Sequence, residues 1–311
     1  MLAQRLPWSP AEVLSDPPNA PALAAGARAL RIPTGPNDRF FDYCLQPYTP
    51  RCDPSGKLRG ESLLWSSLAV AGVPVADDRP FHAIQRVAGR DMTVFGVKQQ
   101  DGALSWELYF YDPDREDPRV TAANLRRELA GELELVPAVA DTIGYFMVSF
   151  ELDAAALARR RVDELDVYLP MHGQQGGFSY KFAAANRELR NTYRFHDPRA
   201  EIDAIVHQLE RSVFVDTTRT DLAELLLPEL LECAKICVAR KRSADAIYYS
   251  GITVGQLLWF LRRFAYPAAV VDFIADNRGD LEHLRFDVGV DHRTGDDGRL
   301  VVPKTSYYST L

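Results

Sequence analysis

The feature that most limits the folds open to this chain is a repeated pair of segments in which apolar and polar side chains alternate. Alternation with a period of two is typical of a β-strand with one buried face, and two such segments in succession predict a hairpin. The dipeptide Asp101-Gly102 separates the first pair and is a strong signal for a tight turn. The five predicted hairpins lie at residues 91–112, 143–170, 177–197, 235–251 and 284–310. The sequence therefore predicts ten antiparallel strands.

Helical patterns separate most of these hairpins. Apolar residues recur at helical spacing in residues 61–72, 119–133, 137–143, 198–213, 220–234, 253–264 and 266–279. Thr220 and Thr253 are placed to cap two of the predicted helices. No helix pair lies between the second and third hairpins, which are joined by the short stretch MHGQQGG. We expect the sheet to be open or irregular at that junction.

Each predicted strand has one apolar face and one face of Lys, Arg, Glu, Asp and Tyr. In the second strand, for example, Trp106 and Leu108 share one face, while Glu107 and Tyr109 share the other. The amphipathic helices must cover the apolar face, and so many tyrosines are unusual on a face that only meets water. The pattern predicts an α+β protein, built as a roughly ten-stranded antiparallel β-barrel of repeated hairpins with a ring of outer α-helices. The alternatives are an open antiparallel sheet with helices on one face and a two-layer sandwich.

The N-terminal part of the chain has a different composition. Residues 1–60 are rich in Pro, Ala and Gly and contain turn clusters such as IPTGPND and QPYTPRCDPSG. We expect an irregular, Pro-rich N-terminal arm over residues 1–60 and a single α/β-barrel domain over residues 61–311.

Charge and composition narrow the range of partners. The chain has 36 basic and 43 acidic residues, a net charge of −7, which argues against nucleic acid or an anionic membrane as the main partner. No apolar run is long enough for a membrane span, and the N-terminus lacks the pattern of a cleaved signal, so we expect a cytoplasmic protein. We also expect a monomer. The histidines and cysteines show no metal-ligand spacing, so no metal site is expected.

The arrangement of hairpins, helix pairs and a polar inner face over residues 60–311 resembles the soluble aromatic prenyltransferases of the ABBA type, the prenyltransferase barrel. Like that family, the chain lacks an aspartate-rich motif: adjacent aspartates occur only at residues 77–78 and 296–297. The resemblance implies a biosynthetic transferase of secondary metabolism. Its partners would be a prenyl diphosphate and an aromatic small molecule. It would require no cofactor, although Mg²⁺ would be compatible with the reaction.

The resemblance implies roles for side chains on the polar faces. Fixed cations would stabilise the departing diphosphate, and the candidates are Lys98, Lys181, Arg190, Arg194 and Lys304. Tyrosine rings would shield the allylic cation, and the candidates are Tyr109, Tyr145, Tyr168 and Tyr308. Glu107 resembles the strand carboxylate that deprotonates the acceptor, and would be the catalytic residue. A salt bridge from Glu107 to Lys98 is the competing interpretation.

Two questions stay open at the level of the sequence. The fourth hairpin would turn either Lys241 or Arg240 inward, together with Tyr248 or Tyr249. The same lumen would also suit a non-catalytic binder of small molecules, or an accessory protein in which the N-terminal arm matters more than the barrel.

Overall fold

A computed structural model of the chain describes residues 30–74, 77–89, 92–112, 114, 116–140, 142–173, 175–184 and 186–311. Positions 1–29 of the predicted arm lie outside these ranges. The ten long strands are β1 (Thr93–Gln100), β2 (Ala103–Tyr111), β4 (Met147–Leu152), β6 (Glu164–Pro170), β7 (Gly176–Ala183), β8 (Arg187–His196), β9 (Lys235–Lys241), β10 (Asp245–Ile252), β11 (Phe286–Thr294) and β13 (Thr305–Thr310). Three two-residue strands are β3 (Glu134–Leu135), β5 (Arg161–Val162) and β12 (Leu300–Val301).

The ten long strands form one closed antiparallel ring. Their order is β1-β2-β4-β6-β7-β8-β9-β10-β11-β13, and β13 pairs back onto β1. The predicted barrel is therefore confirmed, and the open sheet and the two-layer sandwich are wrong. β12 pairs with β11 outside the ring, while β3 and β5 form a small parallel pair.

The ring is continuous at the junction between the second and third hairpins. β6 and β7 pair over seven positions, from Glu164 opposite Ala183 to Pro170 opposite Gly177. The opening expected there is therefore wrong, because a short turn lets the two strands pair directly without a helix between them.

The first hairpin turns where the sequence predicts. Asp101 and Gly102 have φ angles of 51° and 78°. Positive φ at both central residues is the requirement of the two-residue turn whose twist matches the flanking strands. The Asp-Gly pair meets that requirement because glycine adopts positive φ without a steric cost.

The described residues contain nine α-helices. They are α1 (Glu61–Val70), α2 (Arg79–Ala88), α3 (Ala122–Leu129), α4 (Ala154–Arg159), α5 (Ile202–Glu210), α6 (Leu222–Leu225), α7 (Val254–Arg263), α8 (Ala268–Asp276) and α9 (Arg278–Leu281). None of the helices in the described part of the chain is long and apolar enough to cross a membrane.

Two details of the helices differ from expectation. Thr253 caps α7 as predicted, since its hydroxyl accepts the Gln256 N–H at 3.3 Å. The cap of α6 is instead Asp221, whose carboxylate accepts the Ala223 N–H at 2.9 Å, so the prediction for Thr220 is wrong. The predicted helix at residues 137–143 is also wrong for its described residues, because residues 137–140 are irregular and Thr142 and Ile143 lie in a turn and a bend.

The hydrophobic core lies between the outer face of the barrel and the helices. Trp106, Leu108 and Phe110 of β2 are fully buried in it, as their alternation predicts. The indole N–H of Trp106 donates to Ser67 of α1 at 2.8 Å, which satisfies its one polar group. Burying each such side chain contributes about 1.5–3 kcal/mol. Because the apolar faces point outward, the polar faces line the interior of the ring.

The outer face of β7 and β8 is less well covered. Arg187 stacks its guanidinium on the rings of Tyr180 and Phe182, 5.1 and 5.4 Å from their centroids. Leu189 on the same hairpin is 47% exposed. This hairpin follows the junction at which the chain provides no helix pair, so an arginine side chain covers part of the apolar surface.

Candidate functional site: the barrel lumen

The interior of the ring contains a cavity of about 300 Å³. That volume is at the lower end of the range found for small-molecule sites. Its walls combine charged and aromatic side chains: Tyr43, Cys44, Gln46, Lys98, Glu107, Tyr109, Tyr111, Phe146, Met147, Asp166, Tyr168, Arg190, Asn191, Tyr193, Phe195, Cys237, Ala239, Lys241, Tyr248, Ser250, Asp287, Lys304, Ser306 and Tyr308. We call this cavity the lumen.

Three of the five predicted diphosphate contacts line the lumen: Lys98, Arg190 and Lys304. Lys181 does not. It lies near the end of β7, where its ammonium pairs with Glu164 at 3.2 Å and Glu188 at 2.8 Å. Lys181 is on the inner face of its strand, as alternation predicts, but it lies at the rim of the barrel. Alternation predicts which face a side chain occupies and does not predict its depth along the barrel.

The structure places Arg194 on the outside of the barrel, where it is exposed. In β8, Asn191 lies opposite Ser179 and Leu189 lies opposite Tyr180, so Arg190 is an extra residue in that strand. Such a bulge reverses the alternation beyond it. The inward residues are therefore Asn191, Tyr193 and Phe195, and the predicted inward position of Arg194 is wrong.

Lys98 and Glu107 form the centre of one charged network. The Lys98 ammonium contacts the Glu107 carboxylate and lies 2.7 Å from Glu151. Glu107 also accepts hydrogen bonds from Tyr109 at 2.5 Å and Ser149 at 2.7 Å. The salt bridge considered as a competing interpretation is therefore present, and Glu107 faces the lumen as well.

The pKa values of this pair follow from burial and mutual attraction. Burial by itself would raise the pKa of Glu107, but the nearby Lys98 ammonium outweighs it and holds that pKa below its usual value. Burial opposes the charge on Lys98, but Glu107 and Glu151 raise its pKa well above the usual value. Both side chains are therefore charged at neutral pH.

A second network joins β9, β11 and the start of β13. Lys241 contacts Asp291 at 2.6 Å, and Lys304 lies 4.0 Å from the other oxygen of the same carboxylate. The charge of Lys98 and burial lower the pKa of Lys304 to about 8. In the fourth hairpin, Lys241 and Tyr248 face the lumen, which answers the question that the sequence left open.

Arg190 completes the charged end of the lumen. Its guanidinium donates to both oxygens of Asp166, at 2.9 and 3.2 Å. Burial raises the pKa of Asp166 to about 6 and that of Asp287 to about 7. Near pH 7 Asp166 is therefore mostly ionised, whereas Asp287 is partly protonated.

The charged end leads to the protein surface. An adjoining hollow of about 480 Å³ shares Arg190, Asn191, Lys241 and Lys304 with the lumen and is also lined by Arg242 and Arg293. The described lining of this hollow carries five basic side chains and one carboxylate, that of Asp291, so a ligand that approaches through it meets an excess of basic groups, which favours an anion.

The other end of the lumen is aromatic. Tyr109, Tyr168 and Tyr308 line it as predicted, with Tyr109 and Tyr308 rings 5.9 Å apart. Tyr145 does not line it, so its predicted inward position is wrong. This residue precedes β4 and is buried in the outer core, where its hydroxyl accepts the Ala122 N–H at 3.1 Å. The next residue, Phe146, faces the lumen instead, because regular alternation begins only at Met147.

The chain matches no protein family model, and a search of curated proteins found no match. Function is therefore inferred from the geometry of the lumen.

Four further lumen tyrosines were not among the predicted site residues: Tyr43, Tyr111, Tyr193 and Tyr248. A sequence signal exists for Tyr248. A Cβ on Gly289 of β11 would lie 2.5 Å from its ring, so the glycine leaves the space that the tyrosine occupies. A Cβ on Gly96 of β1 would likewise lie 2.5 Å from the ring of Tyr308.

Residues 41–47, which we call the capping loop, cover the aromatic end. Phe41 and Pro47 form an isolated antiparallel bridge, and Asp42 accepts the N–H groups of Cys44 and Gln46 at 2.9 Å each. The Tyr43 N–H donates to Asp287 inside the barrel at 3.2 Å. These bonds hold the Tyr43 ring over the end of the lumen.

Within the described ranges, no group of three or more His, Cys, Asp or Glu side chains is arranged to hold a metal ion. The described side chains of the lumen can support three kinds of chemistry. The lysines and the arginine can bind an anion, the tyrosine rings can contact an electron-poor carbon, and a carboxylate can accept a proton.

Proposed function

We propose that the lumen is the active site of a transferase that moves a prenyl group from an allylic diphosphate to an aromatic small molecule. The observation that carries the proposal is the division of one lumen into a tyrosine end and an end, here called the cationic end, that carries Lys98, Arg190, Lys241 and Lys304 beside their carboxylate partners. An allylic diphosphate has the same division, with a charged head and an apolar tail. The basic opening would receive the head, and the tyrosine rings would surround the tail.

The cations would act on the bond that breaks. When the allylic carbon–oxygen bond ionises, its electron pair leaves with the diphosphate, and Lys98, Lys241 and Lys304 would stabilise the added negative charge. Their carboxylate partners hold these side chains in place before the ligand arrives. Little reorganisation would then be needed as the charge develops.

The tyrosines would stabilise the other product of ionisation. The π faces of Tyr109 and Tyr308 attract a cation, at about 0.5–2 kcal/mol each. The aromatic acceptor then forms a bond to the allylic carbon and loses one proton. Glu107 is the proposed base, because it lines the lumen and stays ionised beside Lys98.

The test compares two lysines that differ in position. Purified wild type, Lys304→Ala and Lys181→Ala are incubated with dimethylallyl, geranyl or farnesyl diphosphate and a panel of indoles and phenols, with Mg²⁺ or with a chelator. Mass spectrometry detects the prenylated acceptor. We expect Lys304→Ala to lower kcat/KM by about a hundredfold or more. Lys181→Ala is the matched control and is expected to stay within about twofold, because its ammonium pairs with two glutamates at the rim.

The same measurements separate the competing functions. Binding of a prenyl diphosphate with no prenylated product for any acceptor would favour a non-catalytic binder. The absence of both binding and product would rule out the proposal. A product that requires Mg²⁺ would add the metal to the reaction without changing the roles of the lysines.

A further inference from the structure

The end wall of the lumen is supplied by a residue from outside the barrel. Tyr43 of the capping loop places its ring 4.8 Å from Tyr308, 5.5 Å from Tyr109 and 6.2 Å from Tyr111, measured between ring centroids. Three inward-facing tyrosines of β2 and β13 therefore meet one ring that belongs to neither strand.

The capping loop is anchored on both sides of Tyr43. Asp287 holds the Tyr43 N–H from within the barrel, and its other oxygen accepts the Gly251 N–H at 3.1 Å. Outside the lumen, the Tyr48 hydroxyl accepts the Arg285 N–H at 2.9 Å, and the Arg285 guanidinium lies over the Tyr48 ring at 5.1 Å. The Tyr43 ring is thus a fixed boundary and not a loosely placed surface group.

We infer that Tyr43 sets the length of the apolar group that the lumen accepts. The inference rests on the proposed function, since it assumes that an anionic head occupies the cationic end near Lys304. A tail that starts there passes the rings of Tyr109 and Tyr308, and then meets the ring of Tyr43. In the described part of the chain, the Tyr43 ring is the wall that closes this path past Tyr109 and Tyr308.

Replacing Tyr43 by alanine removes this boundary while leaving the cationic end unchanged. Each methylene that then enters apolar surroundings is expected to tighten binding by about fourfold. In the wild type, the affinity should stop improving once the tail reaches the Tyr43 ring.

The test uses alkyl phosphates, which carry an anionic head and a tail but cannot transfer it. Dissociation constants of butyl, hexyl, octyl and decyl phosphate are measured by calorimetry for wild type, Tyr43→Ala, Tyr43→Leu and Tyr180→Ala. We expect the gain in affinity per methylene to continue to longer tails in Tyr43→Ala, and to a smaller extent in Tyr43→Leu. Circular dichroism checks that each variant is folded, and the leucine variant retains an apolar side chain if the alanine variant fails to fold.

Tyr180→Ala is the matched control, because it removes a tyrosine ring from the outer face of β7, where Arg187 covers it, and Tyr180 does not line the lumen. It should follow the wild-type length profile. The inference is overturned if the profiles of the Tyr43 variants match that of wild type, if Tyr180→Ala shifts the profile equally, or if no protein binds any alkyl phosphate.

Failure of the proposed function would look different. If alkyl phosphates bind with the expected length dependence but no prenyl diphosphate is turned over, the boundary role of Tyr43 stands and the proposed reaction fails. If prenyl transfer occurs and Tyr43→Ala keeps the wild-type preference among dimethylallyl, geranyl and farnesyl diphosphates, the proposed reaction stands and the boundary role fails.

Discussion

Lys304 is less well compensated than the neighbouring lumen lysines. Its ammonium is 4.0 Å from Asp291, whereas Lys241 lies 2.6 Å from the same carboxylate. The positive charge of Lys98 adds to burial, and together they lower the pKa of Lys304 to about 8. A bound anion would compensate this lysine, so its charge should depend on both pH and ligand.

Lys304→Arg is expected to remove part of the pH dependence of anion binding. As pH rises through about 8, Lys304 loses its proton in the free protein, and the wild-type affinity for inorganic diphosphate should fall. Arginine keeps its charge in this range, so the variant should lose affinity less steeply. Calorimetric titrations at several pH values measure the difference, and Lys181→Arg serves as the control. Parallel curves for wild type and Lys304→Arg would contradict the assignment.

Alternation predicted the lumen residues well where a strand is regular. Glu107 and Tyr109 of β2 and Tyr308 of β13 all face inward as their parity requires. The errors have local causes. Arg194 follows a bulge, and Tyr145 precedes the first paired residue of its strand. Neither cause has a signature in the period-two pattern, because a bulge inserts one residue without changing the residue types around it.

At the scale of elements, glycines on inward positions of two strands make room for rings on their neighbours. Gly96 of β1 faces Tyr308 of β13, and Gly289 of β11 faces Tyr248 of β10. Packing a tyrosine ring over a glycine of the next strand covers exposed backbone and fixes the register between the two strands. These pairs therefore contribute both to the ring and to the shape of the lumen.

Gly289→Ala should destabilise the fold by about 1–3 kcal/mol. The new Cβ would lie 2.5 Å from ring atoms of Tyr248 and 2.9 Å from the Ser306 hydroxyl, so the ring must move. Urea unfolding measures the change in free energy. Gly131→Ala is the control, since a Cβ there has no atom within 4 Å, and its stability should not fall. Equal stability of the two variants would show that the Tyr248 ring moves freely.

The capping loop is the element that the sequence did not predict. Its turn residues identify residues 41–47 as irregular chain, but nothing in that stretch indicates which part of the barrel it contacts. The decisive contact joins Tyr43 to Asp287, 244 positions apart. Local patterns report turns and strand faces, whereas a contact at this separation depends on the completed fold.

At the scale of the whole molecule, β13 closes the ring. It pairs with β1 over six positions and with β11 over four, so it has a neighbour on each side. The barrel itself was predictable from its ten amphipathic strands and from helices that can cover only one face. An open sheet of these strands would have two long unpaired edges, and closure into a ring removes both edges. The continuity of the sheet across the β6–β7 junction was not predictable, because it depends on hydrogen bonds between the two strands and not on the composition of the connecting stretch.

A chain that ends at Lys304 should not unfold in one sharp transition. Removing β13 leaves β1 and β11 with unpaired edges and uncovers the core around the position of the fully buried Tyr307. Thermal circular dichroism and size-exclusion chromatography should show a broad melt and self-association. Tyr307→Phe is the control, which keeps the strand and the ring and should melt sharply. A monomeric, sharply melting truncation would show that the ring tolerates an opening.

The pairing of β1 with β13 also affects how the protein is made. β1 is the first strand of the ring to leave the ribosome and β13 is the last, yet the two are neighbours. During synthesis, β1 must wait for its partner while nearly all of the other strands emerge. The time for which its edge stays open is set by the speed of translation and not by the intrinsic rate of strand pairing. Slow translation or crowded synthesis should therefore favour intermolecular pairing of nascent chains, and a chaperone that shields strand edges should raise the yield.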